Sequence, residues 1–531
     1  MRACFVLLAL GHISWECYIM YSKIISLALN GIEAVIIDVE VDIVAGLPNV
    51  SIVGLPDSTI RESKERIRSA IENSGFTFPP RNFVVNLAPA GHKKQGANFD
   101  LPIALSILKI TGQITNDIPL IPMVGELSLD GGIRPVRGAI SMAIALKQAG
   151  FKALIIPYAN RYEAAAIDGI NIYPVKDINE TISALLGNMP AFSEKGISQQ
   201  ESVVLDMASI SGQETAKRAL EISAAGRHNL LLYGSPGSGK TLLARSFPSI
   251  LPALDMEQSL ETTMIHSVAG KLPQNCGLMT VPPFCSPHHT ASDAALVGGG
   301  VIPSAGEISL AHNGVLFLDE LVEFKSNVIQ ALRQPLEENK VTVARANGTS
   351  TFPADFILLA ASNPCGCGYL FEEDTKCLCS FKKIYGYYQK IAGPILDRID
   401  MEVLVNRVPY KKLINKQNTE SSETIKQRVC MAADIQRERY KGSSIRSNAN
   451  MSSHEIQKYC GLSHELEDLM VKILHARRLT ARSYHKILKI ARTIADLDGV
   501  ESLEKKHILE AVTYKNMQQN YESMSIRLNA G

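Results

Sequence analysis

The octapeptide Gly234-Ser-Pro-Gly-Ser-Gly-Lys-Thr241 constrains this chain more than any other stretch. An apolar run, Leu230 to Tyr233, precedes it, and a helix-like Leu242-Leu-Ala-Arg-Ser246 follows. A strand feeding a glycine-rich turn that opens a helix is the setting of a phosphate-binding P-loop, because backbone N–H groups and a helix N-terminus then converge on one anion. The pattern predicts triphosphate binding by Gly234, Ser235, Pro236, Gly237, Ser238, Gly239, Lys240 and Thr241. Gly234, Gly237 and Gly239 let the backbone curl close to the phosphates, Lys240 reaches the β and γ oxygens, and the Thr241 hydroxyl holds Mg2+. ATP and Mg2+ are the expected cofactors.

A length of 531 residues exceeds one domain and predicts roughly three. The net charge of +1 supplies no global attraction to nucleic acid, so any such contact must come from a local cluster. Ten cysteines lack the spacing of a secreted disulfide framework, and four of them crowd between Cys365 and Cys379, so a reducing cytoplasm is expected. Met1 to Tyr18 is apolar behind Arg2, but His12, Trp15 and Glu16 interrupt the run and no small-residue cleavage site follows. It also falls short of the uninterrupted stretch of about twenty residues that spans a membrane. Residues 1–20 therefore read as a leader or a mis-assigned start, with Met20 the expected initiator and no membrane association.

Residues 21–186 read as a domain of their own, with strands at Ala34–Val44 and Asn82–Ala88 and helices at Thr59–Ser74 and Leu101–Thr111. The stretches Gly46-Leu-Pro, Val53-Gly-Leu-Pro-Asp57, Val85-Asn-Leu-Ala-Pro89 and Phe99-Asp-Leu-Pro-Ile-Ala-Leu105 resemble the N-terminal domain of the magnesium-chelatase-like AAA+ ATPase family, in its YifB/ComM competence group. The run Val124-Gly-Glu-Leu-Ser-Leu-Asp-Gly-Gly-Ile-Arg-Pro-Val-Arg-Gly138 strengthens the likeness. The resemblance implies a Lon-protease-like α+β domain of the ribosomal S5 domain 2 type. Lon-like catalysis needs a nucleophilic serine beside a lysine base. The segment after Asp100 instead offers Leu101, Pro102 and Ile103, and the helix after Gly138 carries Ile140 and Met142, so no peptidase activity is expected.

Residues 187–202, with Pro190, Ser193, Gly196 and Ser198, suit a linker. The motor core is expected over 203–408 and a helical lid over 409–531. Gly212-Gln-Glu-Thr-Ala-Lys-Arg-Ala-Leu-Glu-Ile222 has apolar residues at helical spacing, and by resemblance it lies where AAA+ proteins contact adenine. Gly314-Val-Leu-Phe-Leu-Asp-Glu320 reads as a buried parallel strand that delivers two acids at its C-terminal end, where ligands sit in doubly wound sheets. Asp319 would complete the magnesium site, and Glu320 would orient and deprotonate the water attacking the γ-phosphate. The strand Phe356-Ile-Leu-Leu-Ala-Ala-Ser-Asn363 ends in Asn363, which resembles the sensor-1 asparagine of AAA+ proteins. In Gly393-Pro-Ile-Leu-Asp-Arg-Ile-Asp400, Arg398 stands where this family and the related MCM helicases carry an arginine finger, donated across a subunit boundary. A shared active site implies a ring, expected to be a homo-hexamer. Thr480-Ala-Arg482 matches the sensor-2 arginine at the start of a lid helix.

From about Gln258 to Leu310 the chain reads as a long structureless excursion, with Ser286-Pro-His-His-Thr290 and Gly298-Gly-Gly-Val-Ile-Pro303 inside it. Such a stretch within a compact domain is usually functional, and the resemblance makes it the helix-2 insert that faces a ring's channel. Asn339 to Ala346 and Ser350 to Ala354 read as a hairpin around Asn347-Gly348. Its Lys340 and Arg345 are candidates for contact with DNA phosphates, or else two solvated charges. His288 and His289 read as structural or nucleotide-proximal. Cys365-Gly-Cys367 and Cys377-Leu-Cys379 could enclose a tetrahedral Zn2+, although the spacing departs from a CxxC knuckle; reduced loop cysteines are the other reading. Lid helices are expected at Ser422–Tyr440, Ser452–Tyr459, Ser463–Arg478, Thr480–Leu497 and Leu503–Tyr514. Their Arg477, Arg478, Lys486, Lys489 and Arg492 read as DNA contacts or a solvated face.

The resemblance implies a cytoplasmic, multidomain α/β motor with a Lon-like α+β domain, a P-loop αβα core and an all-α lid. It further implies ATP-driven movement on DNA, promoting branch migration in recombination of incoming DNA. A magnesium-chelatase-type motor subunit, or a protein-remodelling ATPase not acting on DNA, is the alternative.

Overall fold

A computed structural model describes residues 21–91, 94, 96–115, 118–196, 205–299, 304–345, 348–372, 374–392, 395–409, 419–477 and 479–521. The expectations for the leader 1–20, for residues 197–202 of the linker, for the tip residue Asn347 and for Arg478 fall outside these. The described chain forms two compact units, one running to Gly196 with Pro273–Gly277 added, the other containing the rest.

In the first unit, strands β1 (Tyr21–Asn30), β2 (Glu33–Val44), β3 (Asn49–Val53) and β4 (Asn82–Ala88) form a sheet in the order β1-β2-β4-β3. β1, β2 and β4 run antiparallel and β3 joins β4 in parallel. Ile37, Val39 and Val41 of β2 are fully buried, the period of two that a sheet with one covered face requires. The helix Ser58–Asn73 brings Ile60, Ile67 and Ile71, and the helix Asp100–Ile110 brings Leu101, Leu105 and Leu108, into the same core. A short ladder of β5 (Glu126–Leu127) and β6 (Ile133–Arg134) and a parallel pair of β7 (Ala153–Pro157) and β8 (Asn171–Val175) follow. The unit extends past the Leu186 boundary expected from the sequence: the Phe192 amide donates to the Ile172 carbonyl at 2.8 Å, and its ring meets Tyr162 edge-on.

Beside Leu101 and Ile140, Asp100 is buried and bound to Arg66 at 3.0 Å, and Ser141 donates to the Ile32 carbonyl at 2.6 Å. The buried Lys94 amine is spent on the Pro89 carbonyl.

The second unit is built on a five-stranded, wholly parallel sheet in the order β10-β13-β16-β9-β17. Its strands are β9 (Leu230–Tyr233), β10 (Phe284–Cys285), β13 (Val315–Leu318), β16 (Ile357–Ser362) and β17 (Met401–Leu404). Every residue of β9, β13 and β16 is buried, which is why these strands read as unbroken apolar runs. Two small hairpins stand apart from the sheet, β11 (Gly298–Gly299) with β12 (Ser304–Ala305), and β14 (Lys340–Arg345) with β15 (Gly348–Pro353).

The excursion expected to lack structure is a correction. It contains the helix Met256–Ala269, closed by a capping box between Asp255 and Gln258, the helix Asp293–Val297, and β10 to β12. The helix escaped the apolar pattern because much of its buried face is polar: Ser259, Thr262, Thr263, His266 and Ser267 surround Ile265.

The lid helices Ser422–Arg439, Ser453–Tyr459, His464–Arg477, Ala481–Leu497 and Lys505–Thr513 share one hydrophobic core with the sheet. Three of their basic residues, Arg477, Lys489 and Arg492, are also a correction, each being engaged inside the protein. Arg492 is buried against Asp496 at 3.0 Å, Lys489 donates to the Ala449 carbonyl at 2.8 Å, and Arg477 donates to the Val512 carbonyl at 3.0 Å.

Candidate functional site

Because the sheet is parallel, all its strands deliver their C-terminal ends to one edge, and that edge collects the polar residues. The P-loop leaves β9, Asp319 and Glu320 leave β13, Asn363 leaves β16, and the Ser286–Thr290 segment leaves β10. The Gly234 amide donates to the Ser362 carbonyl at 3.2 Å, and a side chain at Gly234 would strike the Val405 carbonyl at 2.1 Å, so only glycine lets the loop start there. Gly237 and Gly239 take φ values of +76° and +95°, with open space where a Cβ would stand.

Lys240 is buried, and its amine donates to the Gly234 and Ser235 carbonyls at 2.8 Å each and to the Asn363 side-chain oxygen at 3.3 Å. Burial lowers its pKa, against the opposing pull of Asp319 and Glu320. The Thr241 hydroxyl donates to the Asp319 carboxylate at 2.8 Å, and the other Asp319 oxygen accepts the Glu320 amide at 2.9 Å. Glu320 itself sits in the left-handed region at φ +53°, a conformation a side chain adopts at a cost. Thus Lys240, Thr241, Asp319, Glu320 and Asn363 are brought together.

Sequence reasoning missed one neighbour as a partner of Glu320. His289 Nδ1 lies 3.6 Å from the Glu320 carboxylate, its ring packed on His288 at 4.1 Å and edge-on to Phe324. Gln213, itself at φ +63°, donates to the Ser238 carbonyl at 3.0 Å and the Asn406 carbonyl at 2.6 Å, so the segment expected near adenine does border the P-loop.

Two arginines are not brought to this edge. Arg398 stands before β17, whose first residue Met401 is level with Leu230 at the start of β9, so it lies at the opposite end of the sheet and pairs with Glu337. Arg482 is exposed and bound to Asp397 at 3.1 Å, beside Arg398. The Lys486 amine donates to the Asp397 and Ile399 carbonyls at 2.6 and 2.7 Å, which fixes this turn against the lid; burial pushes its pKa down to about 8. On the β14–β15 hairpin, Lys340 pairs with Pro353 at the base, with its amine 3.9 Å from Glu338, whereas Arg345 pairs with Gly348 at the far end.

Three family models match successive segments of the chain: magnesium chelatase, subunit ChlI, over residues 206–413; subunit ChlI of Mg-chelatase over 39–160; and the magnesium chelatase subunit ChlI C-terminal model over 419–515. The uncharacterized protein YifB of Salmonella typhimurium is 40% identical over 497 residues, covering 92% of this chain and 96% of that one. The competence protein ComM of Haemophilus influenzae is 39% identical over 516 residues, 96% of this chain and 99% of that one. The chain belongs to the magnesium-chelatase-like YifB/ComM family. A shorter likeness, 29% identity over 154 residues, connects this YifB/ComM-family chain to Lon protease 2 of Bacillus subtilis, covering 28% of each.

The fold of a parallel sheet with a C-terminal helical region is that of an AAA+ member of this family, and the family implies use of ATP and Mg2+. The residues fit both groups. The Ser238 hydroxyl is buried without a partner inside the loop, the glycines leave room for an anion, and Thr241 and Asp319 present the hydroxyl and carboxylate oxygens that Mg2+ prefers. Among the described residues no helix is long and apolar enough to cross a membrane.

Proposed function

We propose that this YifB/ComM-family chain is an ATP-hydrolysing ring motor that translocates on DNA and promotes branch migration during recombination of incoming DNA. The observation that carries the hydrolytic part is the meeting of Lys240, Thr241, Asp319, Glu320 and Asn363 at the C-terminal ends of three adjacent parallel strands. Bound ATP and Mg2+ would supply the phosphoanhydride bond and the charge neutralisation at its oxygens. Lys240 binds the terminal phosphates, exchanging two carbonyl acceptors for anionic ones. Thr241 and Asp319 hold the metal. Glu320 accepts the proton of the attacking water, and Asn363 orients that water or the γ-phosphate. Arg398, largely buried against Glu337, and the exposed Arg482 lie at the other end of the sheet, and in this reading they serve a neighbouring subunit's pocket.

The DNA part is supported by the 39% identity to a protein named for competence and by an insert and a hairpin that pack together, since a Cβ at Gly298 would approach Val343 at 3.3 Å. In the hairpin, Lys340 at the base and Arg345 at the far end are the residues read as meeting a phosphate backbone. The first unit is read as a Lon-like domain, in keeping with the likeness to Lon protease 2, and the lack of peptidase activity rests on Leu101, Pro102, Ile103, Ile140 and Met142 standing where a serine–lysine pair is expected.

The match to chelatase-subunit models favours a second reading, a chelatase-type or protein-remodelling motor. Steady-state ATPase rates with single-stranded, duplex and four-way-junction DNA separate the two. The DNA motor predicts stimulation, strongest with the junction, and none of it in Glu320→Gln. Hydrolysis that no nucleic acid stimulates would support the second reading.

A further inference from the structure

Strand β16 hands the chain from Asn363 to a segment, 364–380, that carries no helix or strand among its described residues. Its four cysteines nevertheless gather, with their sulfurs all within 4.8 Å of one another. Cys365 lies 3.4 Å from Cys367 and 3.8 Å from Cys377, and Cys367 lies 3.5 Å from Cys377. A tetrahedral Zn2+ bound by thiolates at about 2.3 Å sets its sulfurs about 3.8 Å apart. A disulfide needs about 2.0 Å, and all four cysteines are free. The sulfurs also accept backbone hydrogen bonds, Cys367 from Tyr369 and Leu378, and Cys377 from Cys379. Amides directed at sulfur stabilise thiolate ligands and hold them in orientation.

The rest of this segment leans on the P-loop. Gly368, at φ +85°, lies so close to the Pro236 ring that a Cβ would be 2.4 Å from it. The Ser235 hydroxyl donates to the Glu372 carboxylate. Arg407 lies over the Tyr369 ring at 5.5 Å and donates to the Pro236 carbonyl at 3.2 Å. Phe371 packs edge-on to Tyr233, the last residue of β9, and to Tyr521, whose hydroxyl donates to the Pro364 carbonyl. A segment of about this length without regular structure cannot by its own entropy stay in one place, and a metal is one way to fix it.

The geometry points to a structural Zn2+ centre on Cys365, Cys367, Cys377 and Cys379 that clamps this segment against the P-loop, so that zinc occupancy sets nucleotide affinity. The metal centre stands on the thiol geometry alone, whereas its effect on nucleotide rests on the P-loop reading above. It is separate from the magnesium site, whose ligands are oxygens.

Full-length protein purified in reducing, chelator-free buffer should carry about one zinc and no iron per chain by plasma mass spectrometry. Replacing the zinc with Co2+ should give the visible absorption of a tetrahedral tetrathiolate site. The double variant Cys377→Ser, Cys379→Ser should keep less than about a tenth of a zinc per chain and bind the fluorescent nucleotide mant-ATP about tenfold more weakly. Cys430→Ser, in a lid helix, should change neither. If the double variant does not fold, titration of the native protein with p-hydroxymercuribenzoate replaces it, and zinc release should run in step with loss of mant-ATP binding. Native protein without zinc, iron in its place, or unchanged mant-ATP affinity after zinc is lost would overturn the proposal. A native chain that carries zinc but binds no mant-ATP tells the two readings apart: it supports the metal centre and overturns the P-loop reading together with the coupling.

Discussion

Glu320 holds its left-handed backbone between two constraints, its own amide on Asp319 and its carboxylate near His289. If it is the general base, Glu320→Gln should retain mant-ATP binding and lose at least about 100-fold in hydrolysis; hydrolysis within a few-fold of the parent would remove it from that role. His289 touches Glu320 and not the Lys240 side of the pocket, so it should act on turnover. His289→Ala is expected to lower kcat about tenfold with KM unchanged, and His289→Asn to restore part of the loss. A change in KM alone would assign the histidine to nucleotide binding instead. The P-loop residues, Asp319, Glu320 and Asn363 were legible because each follows or ends a short apolar run of a length that suits a buried strand. The pairing of His289 with Glu320 was not, since it joins two strand ends through a chain reversal that leaves no periodic signal. Arg482 was visible as a residue, but its partnership with Asp397 arises from lid packing and has no local signature.

At the scale of elements, a capping side chain made a helix readable where an apolar stripe followed it. Ser421, Ser452 and Thr480 each cap a lid helix, and Asp57 caps Ser58–Asn73. The helix Met256–Ala269 was lost because its buried face is built of serine and threonine. The lid's lysines misled because a long side chain reaching a backbone carbonyl has the same composition as one reaching water. How tightly lid and sheet are joined can be tested through His228, at the entry to β9. It is fully buried, its Nε2 is 2.7 Å from Thr493 in the lid helix Ala481–Leu497, and burial pushes its pKa down to about 4 from 6.5. The folded unit therefore holds this ring neutral while the unfolded chain protonates it. The stability this neutral ring confers is present in full above pH 6.5 and is lost as pH falls through about 4. The shift corresponds to about 3 kcal/mol. Denaturant unfolding followed between pH 7 and pH 4 should show this loss in the native chain and a shallower slope in His228→Gln. Equal slopes would place the acid sensitivity elsewhere.

For the molecule as a whole, the proposed ring makes each pocket depend on a neighbouring chain. Its P-loop edge holds Lys240, Asp319, Glu320 and Asn363, while Arg398 and Arg482 lie together at the far end of the same sheet, secured by Lys486 and Glu337. A head-to-tail ring would place each arginine pair at the next subunit's nucleotide, and each hydrolysis event would then report on two neighbours. The most direct measurement is ATPase complementation between two variants. Lys240→Ala, unable to bind phosphate, and Arg398→Ala, unable to complete its neighbour's pocket, should each be inactive alone. Mixed in equal amounts, they should regain activity from the roughly one interface in four that pairs an intact P-loop with an intact arginine. A mixture as inactive as its parents, or an Arg398→Ala protein fully active alone, would contradict a catalytic site shared between subunits.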